Sequence, residues 1–249
     1  MRSEADGTVR ITPERATGKV GFVRATGGGD LMPSEKGSSA AAAIDKSGAY
    51  LDKYAGAFGA RPDQLVQTAV ESTPVGWTVT YEQSYRGVPV FGARLRANVD
   101  KAGDLTAVNG FVAPDLRIST TPRLSSAQAA ARALATVRAT PPGDGAVDLT
   151  GIKAVKNDLV VYRTGAIRGI AGVNVLAYAV EVSNKRNVRD MVFVDARSGK
   201  PVNRWSMVES GHRGRRRHQP GRLRGRLERG RPAPGIAHRS PAGPGQRHR

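Results

Sequence analysis

The stretch from Trp77 to Val112 constrains this chain more than any other. Trp77, Val79, Tyr81, Gln83 and Tyr85 alternate with Thr78, Thr80, Glu82 and Ser84, a two-residue period that specifies a half-buried strand. Arg86-Gly87 breaks the run and Val88-Pro89-Val90 resumes it. Phe91, Ala93, Leu95, Ala97 and Val99 then alternate with Gly92, Arg94, Arg96 and Asn98. The turn residues Asp100 to Asp104, with Gly103 available for positive φ, lead into a third strand ending at Gly110-Phe111-Val112. Three antiparallel strands on short turns form a meander, and its apolar face needs a cover.

The cover is predicted just upstream. Ser38 or Ser39 can cap a helix over residues 38–58, and Ala40 to Ala43 propagate it. Ile44, Leu51, Tyr54 and Phe58 form its stripe, Tyr50 adds to the core, and Gly59 stops it. Before it lie two short extended candidates, Thr8 to Thr12 and Lys19 to Ala25. Gly27-Gly28-Gly29 follows them and reads as a flexible linker, since no Lys-Ser/Thr follows to cradle a phosphate.

The order then repeats. Ser125 with Gln128 is a capping-box pair, and Ala127, Ala130, Ala131, Leu134 and Val137 make the stripe of a second helix. Short β-rich runs follow at Leu159–Tyr162, Val175–Val182, Val188–Val194 and Pro201–Val208, with turns at Asn184–Asn187 and Asp195–Lys200. The expected fold is α+β: two small modules, each a helix packed on an antiparallel meander. The domain reading is residues 1–36 as an extended segment with a Gly-rich loop, 37–116 and 117–208 as the modules, and 209–249 as a disordered Arg/Gly/Pro tail.

Tyr85-Arg86-Gly87-Val88-Pro89-Val90-Phe91-Gly92 resembles the propeptide (FTP) domain shared by fungalysin- and thermolysin-type zinc metallopeptidases. Phe193-Val194-Asp195-Ala196, with Gly199, Lys200 and Val202 after it, resembles the end of the PepSY-like module that follows the propeptide domain in secreted metallopeptidases. The resemblance implies an extracellular propeptide that acts as an intramolecular chaperone and inhibitor, with a metallopeptidase catalytic domain as its partner. Inhibition of that kind needs an extended segment and a few large anchors. Tyr85, Val88, Pro89 and Phe91 are the anchor candidates, since a Gly-flanked kink could present them at a sheet edge. The same residues would also serve simply to shape the turn and fill the core. Trp205, on the strand leading toward where a protease domain would begin, is the alternative contact.

Composition closes off most chemistry. The chain has no cysteine and four histidines, His212, His218, His238 and His248, all in the tail. No His-Glu-x-x-His run is present, so no catalytic residue, no metal site and no cofactor is expected. Glu181 could meet Asp190 or Asp195 across strands as an acid/base pair, but with no cleft in view these carboxylates read as solvated strand charges. Much of the net charge of +18 sits between Gly211 and Arg249, where twelve arginines meet one glutamate. Such a segment cannot bury enough apolar surface to order itself. A frameshifted reading of that region explains its composition better than selection for a basic tail. The rival readings are a stand-alone secreted protease inhibitor and, from another class, non-specific nucleic-acid binding through Arg216-Arg217 and Arg222, Arg224 and Arg226. No apolar run is long enough for a membrane span, and MRSEADGTVR lacks the apolar core of a signal peptide.

Overall fold

The first helix, α1 (Ala40–Phe58), starts where a side chain can satisfy its free N–H groups and stops where the backbone turns left-handed. Ser39 Oγ accepts from the Ala42 N–H at 3.1 Å, a cap that contributes about 1 kcal/mol. Gly59 sits at φ 105° and its N–H reaches the Ala55 carbonyl. A β-carbon at Gly59 would meet Pro114 Cβ at 2.9 Å, so the position needs glycine for space as well as for φ. The computed structural model describes residues 1–35, 37–143 and 147–208. The basic tail, expected to be disordered, lies outside the described residues.

Two antiparallel sheets follow from the strand order. The first contains β1 (Thr8–Pro13), β2 (Val20–Thr26), β3 (Leu65–Thr73), β4 (Gly76–Tyr85), β5 (Val88–Asp100) and β6 (Leu105–Phe111), in the spatial order β1-β2-β6-β5-β4-β3. The second contains β7 (Lys153–Arg163), β8 (Asn174–Ser183), β9 (Arg189–Asp195) and β10 (Pro201–Ser206) in sequence order. Among the described residues their strands pair through a parallel bridge of Val90 on β5 with Val161 on β7. The alternation reading left out β3. It is an edge strand paired only to β4, and Val66, Gln67, Thr68, Glu71 and Ser72 are exposed on it, so no apolar period marks it.

Each sheet is covered by its helix on one face. Against the first, α1 sets Tyr50, Leu51 and Phe58 onto Val79, Leu95, Val108 and Leu105, all buried. Leu51 and Phe58 fill the stripe as expected, whereas Ile44 and Tyr54 are only half-buried at its margins. Tyr54 is held at the rim because its hydroxyl donates to Glu4 at 2.6 Å. Against the second sheet, helix α2 (Ser126–Ala139) begins with the expected capping box: the Gln128 N–H donates to Ser125 Oγ and the Ser125 N–H to Gln128 Oε1. Its buried line is Ala129, Ala133 and Val137, packed with Val180, Val182, Val192 and Val194. Ala127 and Ala131 are exposed instead. A step of four residues keeps a narrow small-residue seam on the sheet, and those two alanines fall outside it.

A buried ion pair, not read from the sequence, fastens the first helix to its sheet. Lys46, 2% exposed on α1, pairs with Asp30 and also donates to the Gly103 carbonyl at 2.6 Å. Asp30 in turn accepts the N–H groups of Met32 at 2.9 Å and Leu105 at 3.0 Å. The glycine run expected to be a loose linker is therefore tied down. Asp6 N–H bonds to Asp30 O at 2.8 Å, and a β-carbon on Gly29 would lie 2.2 Å from Asp6 O.

Candidate partner-contact surface

The turn between β4 and β5 is two residues long, Arg86 and Gly87, with φ of 49° and 80°. Both central residues at positive φ is the pattern of a type I′ hairpin turn. Glycine adopts it freely, whereas arginine in that region costs about 1 kcal/mol or more. The Arg86 guanidinium lies 5.2 Å over the Tyr85 ring, a cation–π contact that offsets part of this cost.

Beyond the turn β5 bulges. Ser84 pairs with Pro89 and Glu82 with Arg94, so Gln83 alone faces the four residues Val90 to Ala93. Proline has no N–H for a ladder and Gly92 takes φ 70°, so this is where the strand can leave its partner. The excursion brings Val90 to Val161 and seats Phe91 on the second sheet, on the face opposite α2.

There Phe91 joins a group of aromatic rings. Its centroid is 4.7 Å from Phe193 edge-on, 6.2 Å from Tyr162 and 6.1 Å from Trp205. Phe193 is fully buried and stacks on Tyr162 at 4.2 Å, with Trp205 5.0 Å away. Phe91 and Trp205 stay half-exposed. A cavity of about 220 Å³ lies against Phe91, with Phe111, Tyr162 and Ile167 among its walls. In the connection between β7 and β8, Ile167, Val173 and Ile170 are 60%, 64% and 47% exposed. Half-exposed aromatics beside a small, mostly apolar recess, which Glu14 and Arg163 also line, suit the capture of a partner's apolar side chain.

The expected anchors separate by position. Phe91 and Trp205, taken from the sequence as alternative contacts on different modules, lie side by side. Val88 is half-buried and packs against the buried cluster of Tyr85, Val90 and Leu116, while Pro89 is exposed. Tyr85 is 6% exposed and packs with Val90, Ala93 and Leu116, so the kink does not present it.

Trp205 owes its place to its neighbour on β10. Arg204 donates through Nε to Asp190 Oδ2 at 2.6 Å, and through Nη1 to the Thr140 carbonyl at the end of α2. Alternation then turns Trp205 to the opposite face, onto the aromatic rings. Asp190 is therefore fully buried and not a solvated charge, because Arg204 shields it. Glu181 holds Arg189 at 2.8 Å on the surface and pairs in register with Met191. Glu181 and Asp190 thus point to opposite faces and form no acid/base pair. Among the described residues no three of His, Cys, Asp and Glu gather as a metal site would require, and no helix is long and apolar enough to cross a membrane. The arginines assigned to nucleic-acid contact lie outside the described residues.

Residues 63–111, which span β3 to β6 and include the bulge, match the Fungalysin/Thermolysin Propeptide Motif. The chain is 29% identical over 171 residues to thermostable neutral protease NprT of Geobacillus stearothermophilus, a match covering 65% of this chain and 29% of that protein. It thus spans less than a third of the curated relative's length. Among solved structures, the Bacillus megaterium YpeB C-terminal domain aligns over 76% of this chain and 73% of its own, at 14% identity and a TM-score of 0.37. The motif match and the protease relative support a propeptide region of a metallopeptidase precursor.

Proposed function

We propose that this chain is the non-catalytic propeptide portion of a secreted thermolysin-type metallopeptidase, binding the catalytic domain to assist its folding and to block it until cleavage. The observation that carries this is the propeptide motif lying over the strands that build the bulge and place Phe91 beside Trp205. Residues 37–116 serve as the FTP module and 117–208 as the PepSY-like module. Pro89, Phe91 and Trp205 supply the contact, with Val88 fixing the strand behind them. Its chemistry is apolar burial by rigid aromatic rings and not a reacting group.

Co-refolding tests this reading. A denatured thermolysin-type catalytic domain, taken from the same genome, should recover activity in greater yield when this chain is present during refolding and later proteolysed. Equal recovery without it would remove the folding role. Translation of the DNA beyond codon 210 in the other two frames adds an independent check, since an open frame with His-Glu-x-x-His would supply the missing partner.

A further inference from the structure

A second surface is built differently. A groove of about 740 Å³ runs between the C-terminal end of α1, the β4–β5 turn and the segment that follows β6. Four cationic residues line it, Lys19, Arg61, Arg86 and Arg117, against the single carboxylate of Asp115. Arg61 is committed to Asp63, with contacts of 3.0 and 2.6 Å. Among the described residues Lys19, Arg86 and Arg117 form no ion pair. The Arg86 guanidinium lies 5.2 Å over the Tyr85 ring, a contact that uses none of its N–H donors and leaves them for a carboxylate.

The far wall of the groove carries unused main chain. Asp115 to Ser119 belong to no helix or strand, and among the described residues their backbone groups make no backbone–backbone hydrogen bond. We infer that this groove binds an extended acidic peptide segment of a protein partner. Its main chain would bond along Asp115–Ser119 while its carboxylates meet Arg86, Arg117 and Lys19. A nucleic acid could satisfy the cations, but the one aromatic residue in the lining, Tyr85, is buried beneath Arg86 and leaves no ring for a base to stack on. The chain's own C-terminal tail is excluded as occupant by its charge, twelve arginines against one glutamate. This inference goes beyond the propeptide reading and stands whether or not the chain inhibits a protease.

Amide hydrogen exchange on the full-length chain localises the binding and separates it from capture by the basic tail. An octa-glutamate peptide should slow exchange in residues 83–88 and 113–119. Arg86→Gln with Arg117→Gln should weaken that protection about five-fold or more, as the loss of two exposed charge contacts would, and Arg86→Lys with Arg117→Lys should weaken it less, since the charges stay and only the paired guanidinium donors are lost. Both side chains are exposed, but Arg86→Gln also gives up the cation–π contact with Tyr85, so the glutamine variant should melt slightly below the parent and the lysine variant close to it. Protection confined to residues 209–249, or unchanged in the glutamine variant, would overturn the inference. So would an oligothymidylate of equal charge that protects the groove at lower concentration than the peptide.

Discussion

The Phe91 and Trp205 rings lie with centroids 6.1 Å apart, one from the bulge of β5 and the other from the last strand, β10. Neither reaches this position unaided. Phe91 arrives because Pro89 and Gly92 let β5 detach from β4, and Trp205 because Arg204 turns inward to Asp190.

The contact should be measurable as coupling. Phe91→Ala and Trp205→Ala should each destabilise the chain, and the double variant should lose about 1 kcal/mol less than the sum, because both rings lean on Phe193. Urea denaturation of the four proteins tests this. Additivity within a few tenths of a kcal/mol would mean that the rings act independently.

The buried pair on α1 makes a different prediction. Lys46→Met leaves Asp30 buried without its cation and should cost about 3–5 kcal/mol. Replacing Asp30 with Asn in the same chain should return part of that, since the amide needs no counter-ion. A Lys46→Met variant within 1 kcal/mol of the parent would show that the pair adds little to stability.

Acid sensitivity follows from Asp195. Burial opposes its charged form, but the N–H groups of Ser198 and Arg197, at 2.6 and 2.9 Å, outweigh that and hold its carboxyl below the ordinary value of 3.8. A depressed carboxylate stabilises the fold fully above its ordinary value and loses that contribution as pH falls through the lower folded value. Asp195→Asn should therefore lower stability at neutral pH and flatten its decline below about pH 4. An acid limb identical to the parent's would place the sensitivity elsewhere.

Local rules made much of this fold legible. The alternation from Trp77 to Val99 marked the inward residues of β4 and β5, and Ser125 with Gln128 marked the start of α2. What stayed hidden depends on distant partners. Lys46 stands three residues after Ala43 and four before Tyr50, on the buried face of the helical wheel. Its charge argued for solvent until Asp30 could be seen beside it. The Val90–Val161 pairing leaves no trace in either strand's period, so Phe91 and Trp205 read as rival contacts. The buried position of Tyr85 was equally hidden, because the alternation that marks it as inward also made it a plausible anchor at a kink.

Inhibition by the full-length chain tests the proposed contact most directly. The chain should be titrated into the thermolysin-type catalytic domain from the same genome, alongside Phe91→Ala, Trp205→Ala and Tyr85→Phe variants confirmed folded by circular dichroism. Sub-micromolar inhibition is expected, weakened about ten-fold or more by either alanine substitution, as truncating a central aromatic anchor would, and unchanged by Tyr85→Phe. No binding at micromolar concentrations, or inhibition indifferent to both Phe91 and Trp205, would contradict it.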